Sequence, residues 1–160
     1  MTHEQMVGRW CAAGPTGVGW RASGEPPRFD PALLAGPVLV IEDEAMIAWT
    51  MESLLEEMGF SAIAIAASGE QAVEVAGQVR PRLILSDINL GPAGMDGVQA
   101  VVAILARRQA AVVFVSAYID ADAQQRIVRH VPAAVTAAKP VGSDELRRAI
   151  HRAATPPIVQ

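Results

Sequence analysis

The sequence predicts a doubly wound α/β fold, a five-stranded parallel sheet with helices on both faces. Three observations carry that expectation. Five short apolar runs recur along the chain, each followed by a segment of helical spacing, and right-handed crossovers then place the helices over a parallel sheet. The links are short and carry Gly, Pro, Ser or Asp at the turns. The central runs are unbroken hydrophobes, as strands buried on both faces require.

Residues 1–36 stand apart. Gly14-Pro15, Gly17, Gly19, Gly24, Pro26-Pro27 and Pro31 cluster there without periodicity, which predicts a flexible N-terminal extension. Gly17-Val18-Gly19-Trp20-Arg21-Ala22 matches the dinucleotide-binding spacing in letters only. That fingerprint needs a strand before it and a helix after it, and Gly and Pro flank it on both sides. Residues 37–154 are expected to form the domain and 155–160 a short tail.

Val38-Leu39-Val40-Ile41 reads as the first strand and ends on Glu42-Asp43-Glu44. A helix from Ala45 to Met58 is expected to turn Met46, Ile47, Met51, Leu54, Leu55 and Met58 to the core, with Gly59 as its stop. Ala62–Ala66 makes the second strand. Ser68 caps a helix to Val79, with Ala72, Val73, Ala76 and Val79 inward, and Pro81 closes the segment. The third strand, Leu83-Ile84-Leu85-Ser86, delivers Asp87-Ile88-Asn89-Leu90. After a loop rich in glycine, Asp96 caps a helix to about Arg108, with Val98, Val101, Val102 and Leu105 inward. Ala111–Val115 is the fourth strand, ending on Ser116-Ala117-Tyr118, and a helix runs from Asp120 to His130. Ala133–Ala138 is the fifth strand, ending on Lys139-Pro140, and the last helix runs from Asp144 to about Ala154. Five strands suit the flavodoxin-like order 2-1-3-4-5, which sets the first strand beside the third.

Composition narrows the function classes. Half of the 160 residues are apolar and 19% are charged, which is a globular balance. A net charge of −4 without a basic run argues against a nucleic-acid surface. One cysteine, Cys11, excludes an internal disulfide. No apolar run reaches the roughly 18–20 residues of a membrane span, and the N-terminus lacks a secretory pattern, so a cytoplasmic protein without membrane contact is expected. Twelve of the thirteen basic residues are Arg, and Lys139 is the single lysine.

In the expected strand order Glu42, Asp43 and Asp87 converge on one rim, and Ser116 and Lys139 join them from the fourth and fifth strands. Clustered carboxylates repel, and a hard divalent cation such as Mg²⁺ relieves that repulsion. A carboxylate can also attack phosphorus to give an acyl phosphate. A metal, a hydroxyl and an ammonium would then stabilise the phosphoryl oxygens. Taken singly, each residue is ambiguous: the acids could favour the next helix N-terminus, Ser116 could be a turn residue, Tyr118 a packing aromatic and Lys139 a surface lysine.

From Val38 to about Arg152 the chain resembles the receiver domain of two-component response regulators. The matching residues are the acidic pair Glu42-Asp43, Asp87 after a buried strand, Ser116 after the fourth strand and Lys139-Pro140 after the fifth. The resemblance implies that Asp87 is the phosphoacceptor. It implies Mg²⁺ held by Asp43, Asp87 and the backbone carbonyl of Asn89, with Glu42 acting through water. Ser116 and Lys139 would contact the phosphoryl group. The donor would be a histidine kinase or a histidine phosphotransfer protein. Nothing after residue 154 is long enough for an output domain, so the expected output is protein contact through the fourth helix, fifth strand and fifth helix. That describes a single-domain response regulator, not an enzyme with an external substrate.

Departures sharpen the resemblance. Receivers usually carry an aromatic three residues before the lysine, and this chain has Thr136; Val141 replaces the usual Phe after Lys-Pro. The loop after Asp87 is longer than in chemotaxis-type receivers. Val113-Phe114-Val115-Ser116-Ala117-Tyr118 resembles the F-A-T-G-Y-like signature of an atypical subfamily of alphaproteobacteria, often found as stand-alone receivers. Tyr118 is then the candidate to replace the absent switch aromatic.

Three alternatives remain open from the residues alone. A degenerate receiver could act as a scaffold. An aspartate-nucleophile phosphatase of the haloacid dehalogenase type needs a second aspartate two residues past its nucleophile, whereas Asp43 is followed by Glu44-Ala45. A flavin module needs a hydroxyl-rich phosphate loop where this chain places acids.

Overall fold

The apolar runs at Val38–Ile41 and Leu83–Ser86 leave no exposed face, so these two central strands are covered on both sides. The computed structural model describes residues 26–155 and contains five strands. They are β1 (Val38–Ile41), β2 (Ile63–Ala66), β3 (Leu83–Ser86), β4 (Ala111–Ser116) and β5 (Val135–Ala138). Every neighbouring pair is parallel and the order is β2-β1-β3-β4-β5, as expected. Five main helices alternate with them: α1 (Ala45–Glu57), α2 (Gly69–Val79), α3 (Gly97–Leu105), α4 (Ala121–His130) and α5 (Ser143–Ala154).

Side chains alternate between two cores, because successive residues of a strand point to opposite faces. Val38, Val40, Leu83, Leu85, Val113 and Val115 meet Met51 and Leu55 of α1 and Leu146 and Ile150 of α5. Leu39, Ile41, Ile84, Val112 and Phe114 meet α2, α3 and α4 through Ala72, Val101, Ile104 and Ile127. Register then fixes the rim: Ile41 pairs with Ser86, Ser86 with Phe114, and Ser116 with Ala138. The residues that follow these strand ends are Glu42, Asp87 and Lys139.

Caps account for most helix starts. Ser68 accepts from the Gln71 N–H at 3.1 Å, and Asp120 from the Ala123 N–H at 2.7 Å. Asp96 and Gln99 form a reciprocal capping box at the start of α3. Arg80 closes α2 in the left-handed region, with φ of 54°, immediately before Pro81.

Some expectations are corrected. Met46 is 71% exposed and Trp49 59%, so the buried face of α1 is Ala48, Met51 and Leu55. Met46 shares its side of the helix with Trp49 and Thr50, a turn away from the seam that starts at Ala48. Helix α3 ends at Leu105 and not near Arg108, because Ala106 and Arg107 leave the apolar stripe and Arg107 N–H closes a tight turn onto the Ile104 carbonyl at 3.1 Å. Helix α5 begins one residue earlier than expected, with Gly142 as its N-cap.

The expected extension of residues 1–36 divides in two. Residues 1–25, with Cys11, Trp10, Trp20 and the G-x-G pattern, lie outside the described residues, as do residues 156–160 of the tail. Residues 29–36, in contrast, are packed against the domain. Asp30 caps a one-turn helix, Pro31–Leu34, by accepting from the Ala32 N–H at 2.7 Å. Phe29 is buried, with its ring centroid 5.4 Å from that of Phe60 and the Arg147 guanidinium 5.3 Å above it. Leu33 and Leu34 join the same core. A Gly/Pro-rich stretch hides three hydrophobes whose spacing fits one turn and a wedge.

Candidate functional site

The carboxyl ends of a parallel sheet leave a crevice where adjacent strands diverge to opposite faces. Here β1 and β3 are those strands, and the Asp87 N–H donates to the Ile41 carbonyl at 2.9 Å, which locks the two ends side by side. Likewise the Lys139 N–H donates to the Ser116 carbonyl at 3.0 Å, tying the end of β5 to β4.

Side chains of Glu42, Asp43 and Asp87 then offer oxygens that all lie within 4.8 Å of one another. Glu42 is 2% exposed and Asp87 9%, whereas Asp43 faces solvent. Lys139 Nζ reaches into the cluster and donates to Glu42 Oε2 at 2.6 Å and to Asp87 Oδ2 at 2.8 Å. Both bonds join ionised groups that are largely withdrawn from water, which makes them the strong kind. The Glu44 N–H approaches Glu42 Oε1 at 3.2 Å and the Asn89 N–H approaches Asp87 Oδ1 at 3.2 Å.

Electrostatics follow from burial and pairing. Burial pushes the Glu42 carboxyl above its usual value of 4.5, and the bond to Lys139 only partly offsets this. Burial pulls the Lys139 ammonium down, but its bonds to Asp87 and Glu42 outweigh that and hold it above its usual range. Lys139 is therefore charged in this pocket at neutral pH.

The remaining expected residues divide. Ser116 is 2% exposed, and its Oγ donates to the Tyr118 carbonyl at 3.1 Å. The Tyr118 ring lies outside the cluster, 71% exposed, so this residue meets the site through its backbone only. Thr136, at the position of the absent aromatic, is also exposed.

Residues that the sequence did not single out support the crevice. Ser86 Oγ donates to the Asp87 carbonyl at 2.8 Å. A Cβ on Gly97 would fall 1.7 Å from that same carbonyl oxygen, so α3 can start this close to Asp87 only with glycine. Glu70 Oε1 accepts from the Met95 N–H at 2.8 Å and pins the long loop after Asp87 to α2. A glycine at the first helical position after a capping Asp was the available signal for Gly97. Nothing in the sequence marks Glu70.

Three convergent carboxylates, one on the open side, form an all-oxygen donor set that fits a hard divalent cation. The adjoining ammonium and hydroxyl suit a second anionic group beside Asp87. Together they can hold a phosphoryl group against a carboxylate.

Known proteins resemble the chain over most of the described residues. The model of the response regulator receiver domain family matches residues 38–151. The chain is 40% identical over 86 residues to the phyllosphere-induced regulator PhyR of Methylorubrum extorquens, covering 53% of this chain and 32% of that protein. It is 32% identical over 116 residues to the transcriptional regulatory protein PdtaR of Mycobacterium tuberculosis, covering 72% of this chain and 55% of the relative. The chain thus matches about half the length, or less, of these two curated relatives. The solution structure of the PhyR receiver domain of Erythrobacter litoralis aligns with a TM-score of 0.63 at 30% identity, over 76% of this chain and 92% of that one.

Proposed function

The chain belongs to the response regulator receiver family, and from that membership we propose that Asp87 accepts a phosphoryl group from a histidine kinase or histidine phosphotransfer protein. The observation that carries this is the Lys139 ammonium 2.8 Å from Asp87, within a cluster that also holds Glu42 and Asp43. An Asp87 oxygen attacks phosphorus in line. The P–N bond of the phosphohistidine breaks as the O–P bond forms, and the imidazole leaves with the electron pair and takes up a proton.

Lys139 keeps its bond to the carboxylate end and pairs with the incoming phosphoryl oxygens. Ser116 donates its hydroxyl to another of them. Asp43, Asp87 and the Asn89 carbonyl would hold Mg²⁺, with Glu42 acting through water. When bound, that ion supplies the positive charge that neutralises the developing phosphoryl oxygens. Glu42 meanwhile fixes Lys139, since one of its two oxygens is bonded to the ammonium.

The acyl phosphate shifts a two-state equilibrium of the loops after β3 and β4, and the face of α4, β5 and α5 is read by a protein partner. The chain turns over no external substrate; it promotes only the gain and loss of its own phosphoryl group. Among the described residues no helix is long and apolar enough to cross a membrane, and a cytoplasmic location agrees with a cytoplasmic donor.

The test is direct. Incubation with acetyl phosphate and Mg²⁺ is expected to add the mass of one phosphoryl group to the wild type and none to Asp87→Asn. A wild-type mass unchanged with acetyl phosphate and with a phosphohistidine donor overturns the proposal.

A further inference from the structure

The loop after Asp87 is exposed from Gly91 to Gly94, and these residues form no hydrogen bond among the described residues. It starts beside the acidic cluster. Gly91 comes two residues after Asn89, and a Cβ on it would lie 3.9 Å from Asp43 Oδ2. A segment without its own hydrogen bonds opens easily, so its path depends on where its far end is held.

That end is held by a side chain of another element. Glu70, in the first turn of α2, accepts from the Met95 N–H at 2.8 Å. Two glycines make room for the approach. Gly94 has φ of 91°, and a Cβ on it would fall 2.8 Å from Glu70 Oε1. A Cβ on Gly69 would fall 2.6 Å from the Met95 carbonyl oxygen. Past Met95 the chain is fixed without Glu70. Asp96 Oδ1 accepts from the Gln99 N–H at 2.8 Å, and Asp96 Oδ2 accepts from Arg126 Nη1 of α4 at 2.7 Å. The Gly97 N–H donates to the Ile88 carbonyl at 2.8 Å. Glu70 therefore governs residues 91–95 and leaves α3 where it is.

Resting on Asp43, Asp87 and the Asn89 carbonyl as the proposed Mg²⁺ ligands, we infer that Glu70 is a positioning residue for the cation site. It touches neither the ion nor the phosphoryl group. By holding Met95 it sets the path of residues 91–95 and, through them, the Asn89 carbonyl and the space in front of Asp43. Without the tether the loop samples other paths, and the ion must order it on binding, which weakens affinity. Glu70 also stands where a negative charge favours a helix N-terminus. The two roles have different signatures. Glutamine keeps the accepting oxygen and drops the charge, whereas alanine drops both.

The full chain, Glu70→Gln and Glu70→Ala are compared by Mg²⁺ calorimetry, by amide hydrogen exchange of Met95 in NMR, and by phosphoryl uptake from acetyl phosphate in mass spectrometry. Glu70→Ala is expected to raise the Mg²⁺ Kd about tenfold, the low end for residues that orient a metal ligand from outside. Its Met95 amide should exchange freely. Its phosphoryl uptake should slow at low Mg²⁺ and recover at saturating Mg²⁺. Glu70→Gln should keep the amide protected and a Kd within about twofold of wild type. A wild-type Kd in Glu70→Ala overturns the inference. A Glu70→Gln as weak as Glu70→Ala assigns Glu70 to the helix charge and overturns it equally. An unprotected Met95 amide in the wild type removes the tether itself. A wild type that binds no Mg²⁺ overturns the cation site, and the inference falls with it. Normal Mg²⁺ binding without any phosphoryl on Asp87 overturns the proposed function alone, and the Kd values still decide the tether.

Discussion

Replacing Lys139 with Met keeps the length of the side chain and removes the charge. The change strips Glu42 and Asp87 of bonds of 2.6 Å and 2.8 Å, and both carboxylates are buried or nearly so. A charged hydrogen bond contributes about 1.5–3 kcal/mol, and two of them give an upper range near 6 kcal/mol. Asp43 lies at the open side of the cluster and admits water, so a loss of about 3 kcal/mol is expected. For a domain of this size that lowers Tm by roughly 10 °C near neutral pH.

The sign of the pH dependence follows from Glu42. Its folded pKa is raised by burial above the usual 4.5, and loss of Lys139 raises it further. The folded variant then binds that proton more tightly than the unfolded chain, so its stability rises as pH falls from the raised value toward 4.5. The gap to wild type should narrow in that window. Thermal unfolding of both proteins at pH 7.5 and pH 5 measures it. A Tm within about 2 °C of wild type at pH 7.5, or a gap of equal size at both pH values, refutes this account of the pocket.

Other outcomes are expected together. Gly97→Ala drives a Cβ into the Asp87 carbonyl and should cost about 3 kcal/mol in urea unfolding and slow phosphorylation; a cost under about 0.5 kcal/mol would mean that α3 can back away freely. Millimolar Mg²⁺ should raise Tm, by about 2.7 kcal/mol in stability at a hundredfold excess over its Kd, and Asp43→Ala should abolish the rise; equal rises would place the ion elsewhere. Phe29→Ala empties the wedge against Phe60 and should cost about 2–3 kcal/mol by denaturant titration, a partial core loss at the domain edge.

What was legible in the sequence was periodicity and its interruption. Val38–Ile41 and Leu83–Ser86 announce themselves as buried strands, and the acids that follow them can only emerge at the carboxyl rim. Lys139 was conspicuous as the single lysine. Other features depend on which residues meet across space. Met46 lies outside the α1 seam by one angular step, which composition cannot show. Ser86 and Glu70 act on the backbone of distant or adjoining loops, and those contacts have no spacing rule. Phe29, Leu33 and Leu34 are too few to make a periodic signal, and their glycine and proline neighbours mask them.

The wedge at Phe29 bears on how the protein should be cut for study. Similarity begins at residue 38, nine positions after a ring that sits between Phe60 and the guanidinium of α5. A shortened version begun at that border would strip Phe60 of its ring partner and leave Arg147 without its aromatic seat. Poor solubility or altered binding along α5 in such a version would then be a product of the scissors, and the cut belongs upstream of Phe29.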